Sequence, residues 1–172
     1  LPAWQFQLLC TLVMGMGMVL GAAIDDRRVA TFDAWHDPLT GMLNRRALHE
    51  QGKRMLERAR RYRFSMAVIM LDLDHFKLVN DTYGHQVGDT LLRAVADKCQ
   101  AITRSGDLSA RIGGEEFALL VEGVDTVQAT QIAERLRMLI SQLKRGNSIE
   151  SATASFGVAL SSTGEESLED LL

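Results

Sequence analysis

Apolar and polar positions along the chain fall into three regimes: an uncharged start, helical stripes, and short continuous apolar runs. Residues 1–24, "LPAWQFQLLCTLVMGMGMVLGAAI", carry no charge. A helix that crosses a membrane needs about 20 apolar residues, and glycines such as those at 15, 17 and 21 are tolerated there. Trp4 suits an interface, and Arg27 and Arg28 just after the run would keep that end in the cytoplasm. The same stretch also reads as a buried core helix or a dimer-interface helix. The chain does not begin with Met and has no basic leader, so a signal peptide is a poor fit and the sequence reads as a piece of a longer protein. In residues 25–36, Val29, Phe32 and Trp35 recur every three positions, as in a helical linker that pairs with its own copy.

From position 37 the pattern becomes that of a mixed domain. Asp37 before Pro38 predicts a helix start. Residues 44–62 are polar apart from a stripe at Leu48, Met55, Leu56 and Ala59, which predicts an exposed, Arg-rich amphipathic helix. The period then changes: "MAVIML", 66–71, is a continuous apolar run, as expected of a central strand covered on both faces. After it come two aspartates, a short helix and a glycine-punctuated turn to position 89, then an amphipathic helix over 90–102. Residues 107–112 and 116–121 read as strands turning on Gly113 and Gly114, a hairpin. A helix over 125–144 follows, with Asp125 as its N-cap and Gly146 beyond its end. A strand over 151–160 and the start of a last helix at "SLEDLL" complete the chain. This order predicts an α+β fold, ferredoxin-like, with a central mixed sheet flanked by helices and preceded by a long N-terminal helix.

Composition narrows the options. The net charge is −3 over 172 residues, so no generic nucleic-acid-binding surface is expected. Cys10 and Cys99 are the only cysteines; their wide separation argues against a disulfide framework or a zinc site and fits a reducing compartment.

The candidate chemistry lies in the acidic residues at strand ends. Asp72 and Asp74 terminate the most apolar strand, and Glu115 and Glu116 sit side by side on the tight hairpin. Clustered carboxylates beside a core repel and are costly unless something neutralises them. If the hairpin lies next to that strand, Asp72 and Glu115 converge with oxygen ligands only, a set that favours Mg²⁺ or Mn²⁺. Gly113 and Gly114 would let the turn take positive φ and let a phosphate-bearing ligand approach. Lys77, one helical turn further on, could stabilise charge on a transferring phosphate.

Four segments in order, "DPLTGMLNRR", "LDLDHFKLVNDTYGHQVGD", "IGGEEF" and "SFGVA", closely resemble GGDEF domains, the diguanylate cyclases, here with the GGEEF form of the motif. The resemblance covers residues 37–172. It implies a palm-like cyclase fold and a reaction in which two GTP molecules, one per subunit of a homodimer, become cyclic di-GMP with loss of two pyrophosphates. It implies Asp72, Glu115 and the backbone carbonyl of Leu73 as Mg²⁺ ligands, Glu115 as acceptor of the 3′-hydroxyl proton, Glu116 as support, and Lys77 as a transition-state stabiliser. Asn80, His85, Asp89 and Gly113 fall at substrate-binding positions, with Asn80 and Asp89 on the guanine. Asp89 accepts from guanine N1–H and the exocyclic amine, a donor pair that adenine lacks, and so favours two GTPs.

The resemblance also implies product inhibition. "RSGD", with Arg104 and Asp107 five residues before the glycines, is similar to the family's inhibitory R-x-x-D site for cyclic di-GMP. The family's pattern continues past "SLEDLL" into a Lys- and Arg-bearing segment that grips phosphate. A chain that stops before it is expected to bind GTP more weakly, down to inactivity. Residues 1–24 resemble the last helix of a membrane sensor, which implies an inner-membrane protein with its catalytic domain in the cytoplasm. A catalytically inactive GGDEF-like module that binds GTP or cyclic di-GMP is the alternative, but its kind usually loses the acidic motif, which stands intact here.

Overall fold

The structure is a computed structural model that describes residues 34–144, 151–162 and 166–172. The membrane-helix segment 1–24 and nearly all of the linker 25–36 lie outside the described residues. Among the described residues no helix is long and apolar enough to cross a membrane. Residues His36–Leu172 form one compact unit. In chain order the elements are β1 (Leu43–Asn44), α1 (Arg45–Tyr62), β2 (Met66–Leu73), α2 (Phe76–Tyr83), α3 (His85–Ile102), β3 (Leu108–Arg111), β4 (Glu116–Glu122), α4 (Thr126–Ser141), β5 (Ala154–Ser161) and α5 (Leu168–Leu171).

The strands make one mixed sheet in the order β1-β3-β4-β2-β5, with β1 parallel to β3 and every other pair antiparallel. β2 therefore has a partner on each edge, and its side chains alternate between two cores. Ala67, Ile69, Leu71 and Leu73 join Phe76, Val79 and the apolar sides of α3 and α4. Met66 and Val68 join Leu48, Met55, Leu56 and Ala59 of α1, with Leu168 and Leu171 of α5. Burial on both faces is why this strand reads as an unbroken apolar run, and why the α+β fold was legible. The stripe predicted on α1 is the face that packs. Close approach of α1 to the sheet depends on Gly52, where a Cβ would come within 2.8 Å of both Leu120 and Leu168 side chains.

Four local expectations are corrected. Residues 37–41 form a turn, not a helix: Asp37 turns its carboxylate onto its own loop, accepting from Thr40 N at 2.9 Å and Thr40 Oγ1 at 2.6 Å, while its backbone carbonyl accepts from Gly41 N. The turn feeds β1, a strand too short to leave a periodic trace. α3 begins at His85 rather than at position 90, because Gly84, at φ 83°, both ends α2 and opens α3, while Gly88 lies inside the helix. α4 ends at Ser141, short of Lys144, though its start is as read: Asp125 and Gln128 form a reciprocal capping box. Finally, Gly113 and Gly114 are not among the residues with positive φ, which include Gly41, Gly84 and Gly123. The constraint at Gly113 is space, since a Cβ there would run into Glu116 Oε2.

One side chain braces the hairpin against the domain's entry. Arg111 Nη1 donates to both carboxylate oxygens of Asp37, at 3.0 and 3.2 Å. Its Nε and Nη2 donate to the carbonyl of Gly114 at 3.2 and 2.7 Å. Burial pushes the Asp37 carboxyl up, but the bonds from the Thr40 hydroxyl, Arg111 and the Thr40 amide outweigh it and hold Asp37 below its usual value. A depressed carboxylate pKa stabilises the fold at pH values above the unfolded pKa and loses that contribution as pH falls through the folded value. Arg111→Ala is expected to cost about 2 kcal/mol at neutral pH, about 5 °C in thermal midpoint for a domain of this size. Melts by circular dichroism should find the gap shrinking as the pH falls below about 4. A gap independent of pH would contradict the electrostatic account.

Candidate active site

The antiparallel register of β2 and β4 sets Asp72 opposite Glu116, with Leu71 opposite Phe117. On the other edge of β2, Asp72 stands opposite Ser155 of β5. By alternation Asp72 continues the face of Met66, Val68 and Met70, but it is exposed, beyond the part that α1 covers. Its carboxyl is pushed up, first by desolvation, then by the charges of Glu116 and Asp74. Leu73 points into the core and contributes only its backbone, and its N–H donates to the Glu115 carbonyl at 3.3 Å. The hairpin closes with Ile112 N donating to Glu116 O at 2.9 Å. Of the two aspartates, Asp74 is engaged, accepting from Ser155 Oγ at 2.8 Å, while its N–H donates to Thr153 O at 2.9 Å.

Asp72, Leu73, Glu115 and Glu116 thus meet at one end of the sheet. The sequence expectation paired Asp72 with Glu115. The register puts Glu116 directly across from Asp72 and brings Glu115 to β2 through its backbone carbonyl. Among the described residues no three His, Cys, Asp or Glu side chains form a metal cage. The donor chemistry nevertheless fits a divalent cation: carboxylates and a strand-end carbonyl are hard oxygen ligands, and Mg²⁺ fills its remaining positions with water and phosphate oxygens. Desolvation, and after it the charges of Glu116 and Asp74, raise Asp72, and a bound cation would offset both.

The chain leaves β2 through His75, which has φ 58° without being glycine and sits as N-cap of α2 with no side-chain capping bond. Such strained backbone needs support from its surroundings, here from the strand bonds on one side and the buried Phe76 on the other. Lys77 is exposed in the first turn of α2, and Asn80 is half-buried near its end. Gly84 then reverses the chain, His85 opens α3 exposed, and Asp89 lies half-buried one turn later. Lys77, Asn80, His85 and Asp89 therefore belong to one helix-turn-helix corner that directly follows the acidic strand end.

Arg104 and Asp107 lie elsewhere, at the opposite end of β3, about 13 Å along the strand from the hairpin turn. Asp107 is held in place: its carboxylate accepts from Arg104 N at 2.8 Å and from Glu122 N at 3.2 Å. Arg104 lines a cleft of about 360 Å³ together with Gln128, Gln131, Ile132 and Arg135 of α4. Arg135 was missed in the sequence. It stands in an amphipathic helix where a lone cation looks solvated, and only packing of α4 brings it beside Arg104.

Three comparisons bear on this arrangement. Residues 34–172 match the family model for "Diguanylate cyclase, GGDEF domain". The diguanylate cyclase VdcA of Vibrio cholerae is 41% identical over 145 residues, covering 81% of this chain and 41% of that protein. The chain thus spans about two fifths of that relative's length. The coiled coil and GGDEF domain of DgcB from Caulobacter crescentus, solved with cyclic di-GMP, superpose with TM-score 0.81 at 28% identity, over 94% of this chain and 87% of that one. The diguanylate cyclase SiaD of Pseudomonas aeruginosa, solved with its activator SiaC, gives TM-score 0.74 at 34% identity, over 97% of this chain and 65% of that one. With an acidic strand end, a GGEEF hairpin and a helix corner in the same order as the family's motifs, this chain belongs to the GGDEF-domain family of diguanylate cyclases.

Proposed function

We propose that the domain is a diguanylate cyclase that condenses two GTP molecules into cyclic di-GMP and two pyrophosphates, with Mg²⁺ (or Mn²⁺) and as a homodimer. The observation that carries this reading is the convergence of Asp72, Leu73, Glu115 and Glu116 at the end of β2, beside a glycine that leaves room for Glu116. Asp72, Glu115 and the Leu73 carbonyl would hold the cation, which would supply positive charge to neutralise the phosphates and polarise the α-phosphoryl group. Glu115 takes the proton of the attacking 3′-hydroxyl. That oxygen forms a bond to the α-phosphorus of the second nucleotide as the bond to the pyrophosphate oxygen breaks. Lys77 stabilises the developing phosphate charge. Glu116 supports the carboxylate pair from its place opposite Asp72. Asn80, His85 and Asp89 bind the nucleotide, with Asn80 and Asp89 on the guanine, and the backbone at Gly113 gives the phosphates room. Each subunit supplies one half-site, so turnover requires two chains face to face.

The cleft beside Arg104 is the proposed product site. Its planar guanidinium suits guanine and phosphate, Asp107 suits the guanine edge, and Arg135 adds a second cation at the same cleft. Residues 1–24 are proposed to anchor the protein in the inner membrane with the domain in the cytoplasm.

Purified protein incubated with GTP and Mg²⁺, with products identified by mass, tests the activity. Glu115→Gln should lower turnover at least about 100-fold, whereas Glu116→Gln should mainly raise the Mg²⁺ concentration needed for half-maximal rate. Reversed effects would exchange the two roles.

Asp72→Asn should abolish turnover and yet stabilise the metal-free domain. Because its folded pKa is raised, ionised Asp72 opposes folding at neutral pH, and that penalty fades as pH falls through the raised folded value and is gone below about 4. The site is exposed, so the gain is at most about 1 kcal/mol, or about 3 °C in midpoint. A neutral-pH melt of Asp72→Asn that falls below the unsubstituted protein would refute the repulsion account.

Arg104→Ala and Arg135→Ala should each leave initial rates intact and raise the cyclic di-GMP concentration that halves the rate by about tenfold or more. Unchanged inhibition in either variant would remove that arginine from the product site.

A further inference from the structure

Gly88, the fourth residue of α3, is buried against α2. A Cβ placed on it would run into Asn80 Oδ1 and stand 3.1 Å from Phe76 Cζ. The amide of Asn80 therefore occupies the space that a side chain at position 88 would take. Oδ1 is itself buried and has no hydrogen-bond partner among the described residues. The backbone of Asn80 is fixed separately, its carbonyl accepting from Gly84 N at 2.9 Å. Only the amide plane of Asn80 is left to be oriented, and Gly88 is what it rests on.

The chemistry of that contact decides which end of the amide points inward. An oxygen set against a glycine Cα–H makes a weak favourable contact. The reverse orientation would press an N–H donor against the same carbon with nothing to accept it. Oδ1 inward leaves Nδ2, which can only donate, as the outward end. Asp89, the next residue after Gly88, offers carboxylate oxygens, which accept.

We propose that Gly88 is a positioning residue for base recognition: by admitting Asn80 Oδ1 it holds the amide so that Nδ2 donates to an acceptor on the guanine, O6 or N3, while Asp89 accepts from its N–H groups. This rests on the reading that Asn80 and Asp89 hold the base. Guanine offers donors and acceptors together, so recognition needs one partner of each kind, each locked in its role. An amide free to flip would offer either end and discriminate less. A methyl group at position 88 displaces the Asn80 amide and asks the Phe76 ring to give by a few tenths of an ångström, and none of the three nearest atoms it meets is backbone. It should therefore spare the fold while disturbing the base site, and alanine favours a helix interior over glycine.

Calorimetric titration of the full chain with a non-hydrolysable GTP analogue and Mg²⁺ tests this on four proteins: unsubstituted, Gly88→Ala, Asn80→Ala and the double variant. Gly88→Ala and Asn80→Ala should each weaken binding about tenfold, the worth of one hydrogen bond. The double variant should be no weaker than either single one, because both act through one amide. The thermal midpoint of Gly88→Ala should stay at or above that of the unsubstituted chain. Unweakened binding by Gly88→Ala beside a weakened Asn80→Ala overturns the inference alone, as do effects that multiply in the double variant. Unweakened binding by Asn80→Ala overturns the base-contact reading and the inference with it. If Gly88→Ala does not fold, the double variant should fold, since its methyl group meets no amide. A double variant that also fails to fold places the clash on Phe76 and overturns the inference.

Discussion

The β2–β4 register is the constraint on which the rest depends. Seven residues of β2, Met66 to Asp72, pair one-to-one with Glu122 to Glu116, and a slip of one position would turn every side chain to the opposite face. Ala67, Ile69 and Leu71 would then leave the core under α3 and α4, and Met66 and Val68 the core under α1. Two hydrophobic cores therefore hold a single alignment, and that alignment sets Asp72 against Glu116. The carboxylates cannot escape their repulsion by sliding, because sliding costs the packing of both layers.

This explains how the domain sustains an unfavourable cluster at its sheet end. Asp72 is raised by desolvation and by two neighbouring acids, and the penalty falls where solvent still reaches the group. The buried strand behind it outweighs that cost many times over, at about 25 cal/mol per Å² of apolar surface removed from water. The helix corner from His75 to Asp89 follows the same logic. A strained His75 and a left-handed Gly84 turn the chain twice within ten residues, and the buried Phe76 and Val79 anchor α2 between them.

Much of this was legible in the sequence because burial leaves period. β2, the stripe on α1 and the Asp125 cap each showed through residue type and spacing alone. The hairpin could be placed next to β2 only as a supposition, since register is a tertiary fact. Asp37 misled because a proline after a polar residue suits a turn as well as a helix, and the difference lay in Arg111, 74 positions away. Gly88 was read as punctuation because its reason for being glycine is the Asn80 amide on another helix. The doublet at 113 and 114 suggested unusual dihedrals, whereas at Gly113 the limit is the volume of Glu116. Arg135 had no local signal at all, since only the packing of α4 brings it to the cleft that Arg104 lines.

The brace formed by Arg111 has one more consequence. The hairpin turn is a four-residue loop, 112–115, of the sort that usually pays for order only when something binds. Here one guanidinium ties the Gly114 carbonyl to Asp37, and two backbone N–H groups close on Glu116 O. The loop is thus ordered by the protein's own bonds, with the Glu116 side chain filling the space beside Gly113. A nucleotide bound there, as proposed, would not have to supply the free energy of freezing the turn.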